Sequence, residues 1–231
     1  MAYSFIGHVE GSGQSTFTTG NLDTSGADLI VIIFSHLAAN GDTAISDNQG
    51  NSYTARTQYD SGANAERLYY KQAPTTSTTH TFTSTLSLQY GSMVVLAFSG
   101  SATTPYNTEN GATTTGTTLQ PGSITPSEDN CVVVAGLSAG ATGTYAIDSG
   151  FSTVYQVNYS GGVNYGVAAA YKIQTTAAAV NPTFSGFGFS TDAATQASFK
   201  AVAASSGDTQ EWMSRSVPKV RQQQQWTSYS N

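Results

Sequence analysis

The residues able to do chemistry are few and scattered. Three histidines, His8, His36 and His80, stand alone, with no HExxH frame, no His-x-His and no Cys-His set. Zinc and iron sites are built from such clusters, so no metal centre and no cofactor are expected. Cys131, the one cysteine, opens the apolar run Cys-Val-Val-Val and reads as a buried structural thiol. Phosphate and dinucleotide loops of the G-x-x-x-x-G-K-[ST] and G-x-G-x-x-G types are absent. A nucleophile elbow is not expected. A Ser-His-Asp set gathered across the fold could not be told apart among 29 serines.

Glycoside hydrolysis needs two carboxylates facing one cleft. The acids Asp23, Asp42, Asp47, Asp60, Asp148 and Asp192 sit instead in turn-like contexts, and no catalytic residue is assigned. Asp47-Asn-Gln-Gly50-Asn51 offers oxygen ligands that calcium could use. The same residues make an ordinary turn, since Asn, Asp and Gly tolerate positive φ and bond their own backbone; the turn is the reading adopted. Tyr155, Tyr159 and Tyr165 flank Gly161-Gly162, with Asn158 and Asn164 among them. Aromatic faces beside amides could form a platform on which a sugar stacks, or be ordinary strand dressing.

The elements that would position these residues are strands. Of 231 residues, 29 are Ser, 33 Thr and 23 Gly, while only 10% are charged. Thr, Tyr, Val, Ser and Gly suit strands and turns better than helix surfaces. Apolar runs of strand length recur at 29–34, 67–70, 79–83, 93–98, 132–137, 152–157, 167–173 and 196–202, separated by Gly, Asn and Asp clusters. An echo at a spacing of 101 residues places Asp28–Ile33 on Asp129–Val134, Tyr70-Lys71 on Tyr171-Lys172, and Phe98 on Phe199. The expectation is one all-β, jelly-roll-like two-sheet sandwich over residues 1–204, built from similar halves at about 28–100 and 129–203. Two separate domains joined near 103–127 is the alternative. The runs 29–34 and 93–98 are apolar on both faces, which marks strands covered on both sides. A partner or the terminal arm is the expected cover.

Charge is unevenly placed. The net charge is −6 and the pI about 4.8, which argues against nucleic-acid binding. Residues 200–231 nevertheless carry four basic residues against two acidic ones. The segment 205–231 holds both tryptophans, Trp212 and Trp226, together with Arg215, Lys219 and Arg221. Large aromatics and arginines anchor interfaces, so this arm is expected to dock on a protein surface, either another copy or a partner. The first residues, MAYSFIGHVEG, have no signal-peptide pattern. No run is long enough to span a bilayer, so no membrane contact is expected.

Four segments carry a resemblance: Leu-Ile-Val-Ile-Ile-Phe-Ser (29–35), Ser-Asp-Asn-Gln-Gly-Asn-Ser-Tyr-Thr (46–54), Leu-Tyr-Tyr-Lys (68–71) and Val-Val-Leu-Ala-Phe-Ser-Gly (94–100). Together they resemble phage virion β-sandwich proteins that decorate capsids or build head and tail fibres. The resemblance covers roughly 25–203 and carries over no catalytic residue. It implies a non-enzymatic virion protein, made in the host cytoplasm, acting through self-association or contact with a major capsid or tail protein. The alternative is a carbohydrate-binding module of a fibre or cell surface, with a surface glycan as ligand.

Overall fold

A computed structural model describes residues 2–37 and 44–203; for 87–89 it describes the backbone only. Among the described residues thirteen strands run β1 (Ser4–Thr18), β2 (Leu29–Leu37), β3 (Ala44–Asp47), β4 (Thr54–Asp60), β5 (Asn64–Gln72), β6 (Phe82–Ser99), β7 (Ser101–Thr114), β8 (Cys131–Ala139), β9 (Ala146–Ile147), β10 (Tyr155–Ser160), β11 (Asn164–Gln174), β12 (Phe184–Ser185) and β13 (Asp192–Ala201). The first sheet has the order β1-β6-β2-β5-β4, with β3 also on β6, and the second β10-β11-β8-β13-β7. The ladders of both are antiparallel. The two pack face to face as a sandwich. Residues 103–114 of the stretch that could have been an interdomain linker belong to strand β7.

Each half forms one sheet, and the two sheets share a plan: β1, β2, β4, β5 and β6 correspond to β7, β8, β10, β11 and β13. The ladders fix the correspondence residue by residue. Tyr70 pairs with Val31, which pairs with Leu96; Tyr171 pairs with Val134, which pairs with Ala197. β5 and β6 therefore map onto β11 and β13 at the spacing of 101 read from the sequence. β2 does not. Val31 maps onto Val134, so the ungapped match of Asp28–Ile33 to Asp129–Val134 is two residues out of step. A shift of two preserves which face each residue occupies, so the apolar pattern looked the same at either offset.

The halves meet as equivalents about a pseudo-two-fold axis. Tyr171 of the second sheet packs on Phe5 and Phe98 at 4.7 and 5.2 Å. Tyr70 of the first packs on Tyr106 and Phe199 at 6.2 and 5.3 Å. Phe5 pairs with Phe98 as Tyr106 pairs with Phe199, so both contacts are one contact made twice. Such reciprocity is the mark of an isologous interface. Near the axis the equivalent hydroxyls of Ser35 and Ser138 meet at 2.6 Å. Between the sheets Leu29, Val31, Ile33, Val94, Leu96, Val132, Val134 and Val167 form the central core.

The outer faces are covered by the chain's own strand ends and connections. Ile30, Ile32, Phe34, Met93 and Val95 lie under Phe17, Leu22, Phe82 and Leu86. Ala135, Leu137 and Ala168 lie under Leu119, Tyr145, Phe184 and Phe187. The expectation that a partner or the arm would cover these strands is thus corrected. The connections 19–28 and 115–130 are long enough to fold back over their sheets. They pin themselves by Leu22 pairing with His80 and Ile124 with Val180.

Candidate functional site

The segment 205–231 lies outside the described residues, and with it Trp212, Arg215, Lys219, Arg221 and Trp226. The residues just before it are described. The Val202 amide donates to Gly100 O, and the Tyr3 hydroxyl to Lys200 O at 2.8 Å. The N-terminal strand, the junction between the halves and the root of the arm therefore lie together at one end of the sandwich.

The three tyrosines of the sugar-platform reading do not share an open surface. Tyr165 is 1% exposed and lies under Tyr159, with ring centroids 5.3 Å apart. Its burial pushes the phenol pKa well above the ordinary range. Tyr159 is half-buried against Tyr90 at 5.2 Å. Tyr155 packs against both His8, at 3.9 Å, and Phe5, at 5.5 Å. The reason is the pleat. Tyr155, Val157 and Tyr159 alternate toward the neighbouring sheet, and Tyr165 lies directly across from Tyr159 in the β10–β11 ladder.

What the structure does assemble is two long seams, where edge strand β1 faces β10 and edge strand β7 faces β4. The seams occupy equivalent positions but differ chemically. In the first, His8 stacks on Tyr155 and lies 3.1 Å from Glu10. In the second, Arg56 takes the place of Tyr155 and Glu109 that of His8. The Arg56 guanidinium sits 3.6 Å over the Tyr106 ring and forms a two-pronged bond to Glu109, at 2.9 and 3.2 Å. Burial would raise the Glu109 carboxyl. The bonds from Arg56 and Thr57 outweigh it and hold the group below the ordinary range. The Thr57 amide and hydroxyl also donate to Glu109, and Arg67 Nε donates to Arg56 O. This edge of β4 thus has its backbone capped by side chains, a common protection of exposed edges.

The aspartates singled out from sequence work as local fasteners. Asp47 accepts the Gln49 and Asn51 amides, Asn51 Nδ2 and the Tyr53 hydroxyl, and lies 2.9 Å from His80 Nε2. Both of its oxygens are thereby engaged, and the 47–51 segment is the turn anticipated, with Gly50 at φ +75°. Burial alone would raise the Asp47 carboxyl, but donation from His80, Tyr53 and Asn51 prevails and holds it far below its usual range. On its other side the His80 ring meets the Thr24 hydroxyl at 3.0 Å. Thr24, His80 and Asp47 thus have the sequence of contacts of a triad. Thr24 and His80 have no exposed surface, however, so the set braces a covering loop. Asp60 caps Gly62, Asp148 caps Thr183 and Asp192 caps Gly140, each through a backbone amide. Asp23 caps Ser25. Asp42 lies outside the described residues. Cys131 is buried, as expected.

One motif was passed over in the sequence. Gly136-Leu-Ser138-Ala-Gly140 has G-x-S-x-G spacing. A nucleophile elbow needs a strained strand-to-helix turn that exposes the serine. Here Ser138 lies inside β8, fully buried, with its hydroxyl on Ser35. The glycine of that motif matters for another reason. Glu66, which the sequence reading did not single out, is fully buried directly over Gly136. Only the break in strand alternation at Ala65-Glu66-Arg67 could have drawn attention to it. Comparison with known proteins places none of this by likeness: no family model, no curated protein and no solved structure matches the chain.

Proposed function

We propose that the chain is a non-enzymatic structural protein of a virion, a capsid decoration protein or another head- or tail-associated component, that acts by protein–protein contact through residues 205–231. The observation that carries this reading is the cover of both sheets. Phe17, Leu22, Phe82 and Leu86 on one outer face, and Leu119, Tyr145, Phe184 and Phe187 on the other, bury the apolar faces with described residues alone. Trp212 and Trp226 are therefore not needed to close the sandwich and are available as anchors on another molecule. The three basic residues Arg215, Lys219 and Arg221 complement an acidic body, since residues 1–199 carry twelve acids against four bases. Made in the host cytoplasm, such a protein would join the particle before lysis. The glycan-binding alternative loses its platform, because Tyr165 offers no exposed face and Tyr155 is covered by His8 and Phe5.

The test compares the full chain with residues 1–204 by sedimentation velocity, alone and mixed with capsids stripped of minor proteins. The short form should be folded and monodisperse and should fail to bind, while the full chain self-associates or binds the capsid. A Trp anchor truncated to Ala costs about 2 kcal/mol or more, so Trp226→Ala should weaken assembly about thirtyfold or more. Lys219→Ala should act mainly at low salt. Equal behaviour of the full and short chains would refute the role given to the arm.

A further inference from the structure

The second seam contains a device with no counterpart in the first. Across the second sheet Gly111, Thr195 and Gly136 lie side by side on β7, β13 and β8. Facing them from the first sheet are Tyr59 and Glu66, paired neighbours on β4 and β5. A Cβ on Gly111 would fall 2.3 Å from the Tyr59 ring, and one on Gly136 would fall 2.1 Å from Glu66 Oε1. Two side chains of one sheet thus plug two glycine holes of the other, on either side of Thr195.

At the pseudo-equivalent positions the two glycines are larger residues, and valines stand in place of Glu66 and Thr195. Gly111 corresponds to Glu10, Gly136 to Ile33, Thr195 to Val94 and Glu66 to Val167. Ile33 itself reaches across the axis to Gly136, its Cγ2 2.5 Å from the place a Cβ would take. An isoleucine at 136, like the one at 33, would occupy the volume that the Glu66 carboxyl uses. The exchange of Val for Glu, Ile for Gly and Val for Thr is therefore one coordinated change that seats a carboxyl group between the sheets.

Among the described residues the carboxyl has no charge partner. Neither oxygen makes a hydrogen bond among the described residues. β8 and β13 present Gly136, Ser138, Thr195 and Ala197 to it, and β2 presents Ile33 and Ser35, none of them titratable. The titratable groups on the remaining neighbours are Tyr59 on β4 and Glu109 on β7, the latter already bonded to Arg56. His36, Arg67 and Asp192 alternate to the opposite faces of their strands. Burial pushes the Glu66 carboxyl well above the glutamate range and prevails over the nearby Ser138 and Thr195 main chain, which pulls the other way.

We propose that Glu66 is a proton-gated plug between the two halves: protonated, it seats in the Gly136 hole and closes the seam between β4 and β7; ionised, it leaves the hole and loosens that seam. An ionised carboxylate without partners is costly to keep in an apolar interior, and the Tyr70 and Tyr106 rings beside the seam lose their cover when it opens. The sign follows from proton linkage. A carboxyl whose folded value is raised contributes its full stability below the unfolded glutamate value of about 4.3. That contribution falls as pH rises from there to the folded value.

The experiment measures the unfolding equilibrium in urea from pH 5 to pH 8 for the wild-type chain and Glu66→Gln. Hydrogen exchange at β4 and β5 amides is compared at each pH, so that the intrinsic chemistry cancels. The wild-type unfolding constant should rise relative to Glu66→Gln by up to tenfold per pH unit, the limit for one proton. Exchange at β4 and β5 should be equal in the two chains at pH 5 and faster in the wild type at pH 8. Glu66→Val, which installs the residue of the equivalent site, should behave as Glu66→Gln does. A wild-type to Glu66→Gln ratio independent of pH would overturn the proposal, as would pH-dependent opening that persists in Glu66→Val.

Discussion

Asp47 and Asp148 occupy the same place in the two halves, at the head of equivalent turns: Gly50 N donates to Asp47 O, and Phe151 N to Asp148 O. Their side chains are wired differently, and replacing each by alanine should expose the difference. The Asp47 side chain has no exposed surface. Removing it strands His80, which is fully buried, and the half-buried Tyr53 hydroxyl, which donates to Asp47 at 2.6 Å. Each stranded buried polar group costs about 1–3 kcal/mol, and two are stranded here. Asp47→Ala should therefore cost about 2–6 kcal/mol. Asp148 is exposed, and water replaces it as acceptor for the Thr183 amide and Ser149 hydroxyl. Asp148→Ala should cost about 0.5 kcal/mol, as surface substitutions do. Urea unfolding at pH 7 measures both, and the gap of about 3 kcal/mol corresponds to roughly 10 °C in Tm for a chain of this size. The acid limb is a second check. Because the Asp47 carboxyl is held below its ordinary range, its contribution is present above the unfolded value of about 3.9 and is lost as pH falls through the folded one. Wild type should thus lose stability below about pH 4 more steeply than Asp47→Ala. Two variants within 1 kcal/mol of each other, with parallel acid limbs, would refute this account of the turn.

Gly111→Ala should cost about 1–3 kcal/mol in urea unfolding, because its Cβ would overlap the Tyr59 ring; Gly188→Ala, with nothing within 4 Å, should stay within about 0.5 kcal/mol. In a double-mutant cycle, Tyr171→Ala and Phe5→Ala should couple by about 0.5–1.5 kcal/mol beyond their lost area, as stacked rings do. Tyr70→Ala with Tyr106→Ala should give a coupling of the same size, and a null result in either cycle would argue against the reciprocal packing. A chelator should leave Tm unchanged, since both Asp47 oxygens already serve protein donors; a clear fall would restore the calcium reading of the turn.

The strands legible in the sequence were those with an apolar face. Leu29–Phe34, Met93–Phe98 and Val132–Leu137 lie inside β2, β6 and β8. The edge strands β1 and β7 were not legible, because Ser-Phe-Ile-Gly-His and Ser-Ala-Thr-Thr-Pro show only one or two apolar residues to the core and leave the rest half-exposed. The duplication was visible in Tyr70/Tyr171 and Phe98/Phe199, since aromatic positions in a reciprocal interface tolerate little drift. It was misaligned in β2, where any aliphatic residue fills the core equally well. The second seam was the least legible part. Arg56 lies 53 residues before Glu109, and Glu66 is hidden in an ordinary strand, so that only the sheet-on-sheet packing brings the seam together. The tyrosines misled for the complementary reason: three aromatics close in sequence all turn toward the facing sheet once the pleat is imposed, where they are buried or half-buried.

Two equal halves in one chain are free in a way two copies of one chain are not. In a symmetric dimer every substitution appears twice, so a glutamate at position 66 would enter both equivalent sites, and a glycine at 136 would open two holes. In the fused chain one site could keep Val167, Ile33 and Val94 while the other acquired Glu66, Gly136 and Thr195. The apolar site preserves the packing on which the sandwich depends. The polar site can then carry a group whose burial is costly without exposing the whole interface to that cost. The same division separates the seams, where His8 and Tyr155 form a stacked pair and Arg56 and Glu109 an ion pair at the matching place. Asymmetry is concentrated where the halves touch, which is where a protonation event can change how tightly one half holds the other.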